Sequence, residues 1–303
     1  MTPHQLLEYG VRKLYFANPS LVAWYQRFKV RRSAAETQSV TWQPELLGGF
    51  LRDQIPAAAD IIVHSSIAGL GGLKVANPQA VLQLFRQIGQ ERGVNLLFPT
   101  HPLLKTGSDG VLEYDPRRSP STVGVISEFA RRASGFQRSR HPLSSVAVCG
   151  PDADWYLRDN LQAEGKSLPH GRHSPYARLA ERGGYAVCLG VSFERCLTMI
   201  HVAEELLDDR FPRGLEFEEL PVRIREGDST MLATVRRRSP RQLPNWSLWG
   251  IQRDLVAVGA VRRHRVGGVI VDIADCRHVV SYMQERALRD GYPYLFLPKR
   301  KAA

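Results

Sequence analysis

The sequence predicts an α/β layered fold, on three observations. From about residue 39 onward, short apolar runs of strand length alternate with segments of helical periodicity. Helix-start pairs (Asn77-Pro78, Ser174-Pro175) and helix-stop glycines (Gly93, Gly135, Gly183) punctuate that alternation. No internal repeat or low-complexity segment interrupts it. A length of 303 residues suits one large α/β domain as well as two smaller ones. The chain reads as an extension, 1–38, followed by one domain, 39–303.

The extension holds six basic residues (Arg12, Lys13, Arg27, Lys29, Arg31, Arg32) against two acidic ones. It is rich in aromatics (Tyr9, Tyr15, Phe16, Trp24, Tyr25, Phe28) and is broken at Asn18-Pro19. It is expected to be a helical arm packed on the body or on a second copy in a homodimer; an amphipathic membrane-surface segment is the weaker reading. In the domain, Asp60 to His64 reads as a buried strand. Asn77-Pro78 then caps a helix that carries Val81, Leu84, Phe85 and Ile88 and stops at Gly93. Val94 to Phe98 is the next strand, and a helix with Ile126, Phe129, Ala130 and Ala133 closes at Gly135. Ser145 to Cys149 is strand-like, Ser174-Pro175 opens a helix, and Tyr185 to Leu189 is a strand. A helix follows from about Cys196 to Leu207. Phe217 to Arg225 and Met231 to Arg236 look like a strand pair. A helix near Trp246–Val258, a strand at Val269–Ile273 and a helix over Ala274–Arg289 complete the chain.

Composition narrows the function classes. With 43% hydrophobic and 23% charged residues the chain is ordinary globular stock. No run approaches the roughly 18 apolar residues of a membrane span, and Glu8, Arg12 and Lys13 interrupt any signal-peptide core. A cytoplasmic protein is expected. Cys149, Cys188, Cys196 and Cys276 form no C-x-x-C and no His pair has zinc spacing, so they read as small buried hydrophobes and no metal is expected. The balance of 41 basic to 30 acidic residues, a net +11, suggests a polyanionic partner: nucleic acid, a membrane surface or a phosphorylated cofactor. The basic clusters (Arg31-Arg32, Arg236-Arg237-Arg238, Arg262-Arg263-His264-Arg265) are short and carry no nucleic-acid module, so nucleic acid is not expected.

Four stretches could carry chemistry. His64-Ser65-Ser66-Ile67-Ala68-Gly69-Leu70-Gly71 directly follows a buried strand, where open α/β sheets bind ligands; it reads as a ligand loop or a plain turn. Tyr114-Asp115-Pro116 with Ser119-Pro120-Ser121 reads as a substrate contact or an Asx turn. Arg138-Ser139-Arg140-His141-Pro142-Leu143-Ser144-Ser145 precedes a strand, and its Arg and His residues read as ordered for a role or as generic loop polarity. Thr198, His201 and Glu204 recur at helical neighbour spacing. They form either a solvated stripe or a dyad in which the carboxylate fixes the tautomer of His201 and raises its basicity. Gly190-Val191-Ser192-Phe193-Glu194 lacks the last glycine of a nucleophile elbow, and His201-Val202-Ala203-Glu204-Glu205 is not H-E-x-x-H.

In order, the matching text is His64-Ser65-Ser66-Ile67 with Gly71, Pro99-Thr100, Asp115-Pro116 with Ser119-Pro120 and Gly124, then Glu128-Phe129. Arg138-Ser139-x-His141-Pro142-x-x-Ser145, Gly150, Ser174-Pro175, Gly190 and Thr198-x-x-His201-x-x-Glu204 complete it. From about residue 42 to 208, with a weaker echo from Trp246 onward, this resembles the aminoglycoside 3-N-acetyltransferase family, also called antibiotic N-acetyltransferases. The chain departs from the family at Gly93-Val94, where Gly-Thr is common, and over 209–245.

The resemblance implies a three-layer α/β/α sandwich around a mixed, largely parallel central sheet, unrelated to the GNAT acetyltransferases, with acetyl-CoA as co-substrate. It implies that His201 removes a proton from the acceptor amine, oriented by Glu204, while Thr198 and loop N–H groups after His64 face the developing oxyanion. Coenzyme A is expected along His64, Ser65, Ser66, Ile67 and Gly71 and along Arg138, Ser139, His141 and Ser145. Direct transfer is expected because no Ser or Cys stands beside a clear base in the sequence.

The acceptor is expected to be an aminoglycoside or a related amino-sugar amine, bound by acidic groups including Asp115, Glu205 and Asp208. Residues 204–228 hold nine acidic residues against four arginines, which reads as acceptor recognition or as an ordinary solvated stretch. The same chemistry on an amino-sugar intermediate of surface-polysaccharide or secondary-metabolite synthesis is an alternative. A non-catalytic polyanion-binding module is another.

Overall fold

A computed structural model describes residues 40–161, 167–196, 198–207, 210–211, 215–247 and 250–293, with Gly10, Val11, Lys13, Leu14, Asn18 and Ser20. Most of the extension over 1–38 lies outside the described residues. Among those described, no helix is long and apolar enough to cross a membrane.

In chain order the domain runs α1 (Pro44–Gln54), β1 (Ile61–Ser65), α2 (Pro78–Arg92), β2 (Leu96–Pro99), β3 (Lys105–Thr106), β4 (Leu112–Tyr114), α3 (Val125–Arg132), β5 (Gln137–Arg138) and β6 (Val146–Cys149). There follow α4 (Ala153–Leu157), α5 (Pro175–Glu181), β7 (Tyr185–Leu189), α6 (Thr198–Leu207), β8 (Phe217–Glu226) and β9 (Ser229–Arg238). Then come α7 (Ile251–Ala257), β10 (Val261–Val266), β11 (Val269–Asp275) and α8 (Cys276–Asp290).

The main sheet has seven strands in the order β10-β11-β7-β1-β2-β6-β5. It is mixed, as expected, and its parallel pairing is confined to the centre: β1 pairs parallel with β2 and β7, and every other neighbour is antiparallel. Successive side chains of a strand point to opposite faces. Ile61 and Val63 therefore join Leu96, Phe98, Val187 and Leu189 in a core under α1, α2 and α3. Ile62 joins Leu97, Ala186 and Cys188 in a second core under α5, α6 and α8. Two cores on one sheet make the three-layer sandwich. Each fully buried aliphatic side chain is worth about 1.5–3 kcal/mol relative to exposure, which is why these strands read as continuous apolar runs.

Local signals hold the helices to their lengths. Asn77 accepts the Gln79 amide, Pro78 is the first helical residue, and Gly93 at φ +64° ends α2. Ser174 caps α5 on the Ala177 amide and Asp275 caps α8 on the His278 amide. A smaller sheet, β3-β4-β8-β9, has its own core of Tyr114, Val222, Ile224, Ala233 and Val235.

Two expectations shift. The helix expected from Trp246 begins only at Ile251, leaving Trp246 in the preceding loop. The basic cluster Arg262–Arg265 forms the edge strand β10, antiparallel to β11. Charged side chains along such an edge discourage pairing with another chain.

Asp60, just before β1, fastens the layers. Its carboxylate accepts the Asn95 amide at 2.7 Å, the Asn95 side chain at 2.9 Å and the Tyr156 hydroxyl at 2.7 Å, and pairs with Arg182 at 3.4 Å. Asp60→Ala strips the acceptor from three buried donors and a guanidinium. We expect a loss of about 3–5 kcal/mol in equilibrium urea unfolding, with Asp60→Asn losing less because it keeps one acceptor oxygen.

Candidate active site

The carboxyl ends of β1, β2 and β7 open into a cavity of about 500 Å³, where α/β sheets present ligands. His64 and Ser65 end β1, and Pro99 and His101 end or follow β2. Val191, Arg195 and Cys196 follow β7, and Thr198 and His201 stand in the first turns of α6. Val123 and Ser127 near the start of α3, Ser144 before β6 and His170 before α5 complete the wall. The loops after β1 and β7 touch through two glycines. A Cβ on Gly69 would lie 1.8 Å from the Gly190 carbonyl oxygen, and Gly190 itself has φ +66°, so neither position admits a side chain without moving the backbone.

The Thr198–His201–Glu204 stripe does not face solvent. His201 Nδ1 lies 3.0 Å from Glu204 Oε2. A carboxylate only accepts, so Nδ1 carries the proton and Nε2 holds the lone pair. Glu204 also accepts the Trp246 indole N–H at 2.9 Å and an ion pair from Arg238. Burial pushes the Glu204 carboxyl up, but Arg238, His201 and Trp246 outweigh it and hold it below its ordinary value. Burial, then Arg238, pushes His201 below its ordinary value although Glu204 opposes this, so the imidazole stays neutral. Its ring stacks on Trp246, with centroids 5.0 Å apart and planes 17° apart. Thr198 Oγ1 is 3.4 Å from His64 Nε2, which brings the hydroxyl, both imidazoles and the start of α6 to one cavity wall.

Other predicted residues fall elsewhere. Of the loop after β1, His64 and Ser65 line the cavity; Ser66 instead receives the Gly69 amide, Ile67 packs against the core, and Gly71 caps a 3₁₀ turn at φ +88°. The stretch from Arg138 to Ser145 is turned inward on the protein's own groups. Arg138 is spent on internal oxygens: Thr100 Oγ1 at 3.0 Å, Ser145 Oγ at 2.9 Å, the Ser119 carbonyl at 2.6 Å and the Thr100 carbonyl. Ser139 receives the Val146 amide, Ser145 donates to the Thr100 carbonyl, and His141 sits against the Ser167 carbonyl, all three buried. This stretch braces β2 against β6, and only Ser144 within it reaches the cavity. Asp115 makes an Asx turn on the amides of Arg117 and Arg118 and does not line the cavity.

Glu205 is buried, receives the His170 amide at 2.7 Å and lies 3.2 Å from His170 Nδ1. Asp208 lies outside the described residues. Further along the acidic stretch, Glu218 pairs with Arg237 and Glu226 with Arg140. The lining residues described include no carboxylate and one arginine, Arg195.

Sequence reasoning missed His101, Ser127, His170, Arg195, Cys196, Arg238 and Trp246. His101 Nε2 meets the Tyr176 hydroxyl at 3.0 Å, and burial, then His170, pushes its pKa down to about 3. The signal for His170 was the polar run Pro169-His170-Gly171-Arg172-His173 ahead of the α5 cap. Cys196 lines the same cavity as His64; the neighbouring Cys188 thiol first, and His64 after it, hold the Cys196 thiol low against the opposing effect of burial.

Two measurements check this assignment. Arg138→Met is expected to cost at least about 2 kcal/mol of stability, since several buried oxygens lose their donor, while coenzyme A affinity stays at the parent value in calorimetry. The second concerns His141, whose pKa burial depresses to about 4. Its unfolded value is near 6.5, so the unfolded state binds more protons between those limits. Stability is then intact above pH 6.5, falls by up to about 1.4 kcal/mol per pH unit toward pH 4 and levels off below. Urea midpoints at pH 7 and 4.5 should drop less in His141→Gln than in the parent.

The chain's likeness to known proteins agrees with this geometry. The aminoglycoside 3-N-acetyltransferase family profile matches residues 62–287. Aminoglycoside N(3)-acetyltransferase VII of Streptomyces paromomycinus is 32% identical over 264 residues, covering 77% of this chain and 88% of that protein. Aminoglycoside N(3)-acetyltransferase VIII of Streptomyces fradiae is 27% identical over 267 residues, covering 79% and 90%. Among solved structures, AAC-IIIb in a binary complex with CoASH superposes with a TM-score of 0.67 at 21% identity over 81% of this chain and 96% of that one, a likeness of fold. A polyanion-binding module gives way to an acetyltransferase: the chain belongs to the aminoglycoside 3-N-acetyltransferase family.

Proposed function

We propose that the chain transfers an acetyl group from acetyl-CoA to an amine of an aminoglycoside or a related amino sugar by direct attack, with His201 as general base. The observation that carries this is the His201–Glu204 pair on α6, 3.0 Å apart, with the imidazole on the cavity wall. Acetyl-CoA supplies an activated thioester carbonyl. The cavity suits a slender acyl arm: Pro99, Val123 and Val191 offer apolar wall, and Ser65, Ser127 and Ser144 offer hydroxyls.

An aliphatic ammonium has no lone pair, and His201 Nε2 takes the proton that blocks it. Glu204 fixes the ring from behind and stabilises the imidazolium that forms. The Thr198 hydroxyl, and the start of α6 with its partial positive charge, favour a developing oxyanion. Residues 39–303 are the catalytic unit in this reading and 1–38 an appendage to it. The donor is a cytoplasmic metabolite, which argues for a cytoplasmic site of action.

One observation favours the narrower acceptor class, an amino-sugar intermediate of surface-polysaccharide or secondary-metabolite synthesis. The described carboxylates at Glu204, Glu205, Glu218 and Glu226 are engaged by arginines and histidines of the chain itself, and the described cavity wall is neutral to cationic. A polycation finds little attraction there.

His201→Ala is expected to lower kcat by about 10²–10⁴-fold, and Glu204→Gln by less, because glutamine still accepts from Nδ1. Raising the pH should partly restore His201→Ala, since more of the acceptor amine is then already unprotonated. Parent-level turnover in His201→Ala overturns the mechanism. Intact mass of the protein mixed with acetyl-CoA alone should show no added acetyl group on Cys196; a stoichiometric adduct would replace direct transfer with an acyl-enzyme route.

A further inference from the structure

A primary ammonium entering the cavity sheds two protons on its way to an amide, one before its nitrogen attacks and one after the C–N bond forms. One imidazole holds one proton at a time, and the cavity wall carries a second imidazole placed like the first. His170 Nδ1 lies 3.2 Å from Glu205 Oε1, and its backbone N–H donates to the other oxygen of that carboxylate at 2.7 Å. The proton therefore sits on Nδ1 and the lone pair on Nε2. His170 is only 6% exposed, it lines the cavity, and its Nε2 is buried without a hydrogen-bond partner. A buried ring nitrogen left unpaired is costly unless a ligand, an ion or a water meets it. The His170 and His201 ring centroids are 5.1 Å apart, within reach of a single ammonium group.

We propose that His170, held by Glu205, is a second catalytic base whose Nε2 receives one of the two protons that the acceptor amine must lose. This rests on the acyl-transfer reading above. The balance closes with two bases. One imidazole takes a proton from the ammonium, and the freed lone pair forms the C–N bond while the carbonyl π pair moves to oxygen. The second imidazole takes a proton from the now cationic nitrogen. The oxygen pair returns as the C–S bond breaks, the departing sulfur takes a proton from one imidazolium, and the other imidazolium releases its proton to solvent. The charged and titratable groups facing His170 are Glu205 and His201 from α6, Tyr176 from α5, Arg238 from β9, and His101 and His141 from the loops after β2 and before β6.

The test compares the acid limb of log kcat/KM against pH in the parent and in His170→Gln, using one amino-sugar acceptor that the parent acetylates. Loss of a required base should make the limb shallower by one unit of slope and lower kcat by about 10²-fold. An unchanged slope overturns the proposal, whatever the fall in rate. Long-range ¹⁵N–¹H spectra of the unmodified protein without substrates need no folded variant: they should show the Nδ1–H tautomer at both His170 and His201, and an Nε2–H tautomer at His170 overturns the proposal. Failure of the parent to acetylate any amine sinks the acyl-transfer reading together with this one, whereas turnover with an unchanged slope sinks this one alone.

Discussion

Two glutamates stand side by side in the chain on a helix that is buried on nearly every face, and one guanidinium makes that tolerable. Burying a carboxylate costs several kcal/mol unless it is paired and its oxygens are hydrogen-bonded. Arg238, at the end of β9, contributes its charge to both Glu204 and Glu205. The oxygens are then completed by His201 and Trp246 on one carboxylate and by His170 on the other. The small sheet is thus tied to the helix layer of the large sheet by charge. The orientation of both imidazoles follows from the same compensation, because each ring is fixed by a carboxylate that needs its N–H.

How much of this was legible depends on distance along the chain. The strands and helices were readable because their apolar residues repeat at strand or helix period and their ends carry caps and glycines. Thr198, His201 and Glu204 were readable because neighbours on a helix recur every three or four residues. His64 stood out because it ends a buried run. The burial of Glu205 was not legible because it follows Glu204 directly, points about 100° away around the helix, and nothing local betrays that this face is also buried. Trp246 and Arg238 reach the site from loops and strands far along the chain, and no periodicity encodes that approach.

Arg138 shows a different limit. A long cation in a polar loop reads as a ligand for phosphate, yet here it is itself the bound ion, enclosed by the oxygens of Thr100, Ser119 and Ser145. Arginine in a loop signals that anions or carbonyls are near, and whether those belong to a ligand or to the backbone is decided only by the fold. The acidic stretch after α6 follows the same logic with the sign reversed: its carboxylates serve arginines of β9 and of the loop before β6.

The contact between Gly69 and Gly190 has a consequence for how such an enzyme changes its substrate. Each glycine's backbone blocks a side chain at the other, so no single substitution, and no compensating pair, fits between these two loops without displacing backbone. Side chains that can be exchanged without touching that contact stand elsewhere on the wall: Val123, Ser127 and Ser144, on α3 and on the loops that flank it and β6. The contact fixes backbone, so what can vary in the cavity is its side chains.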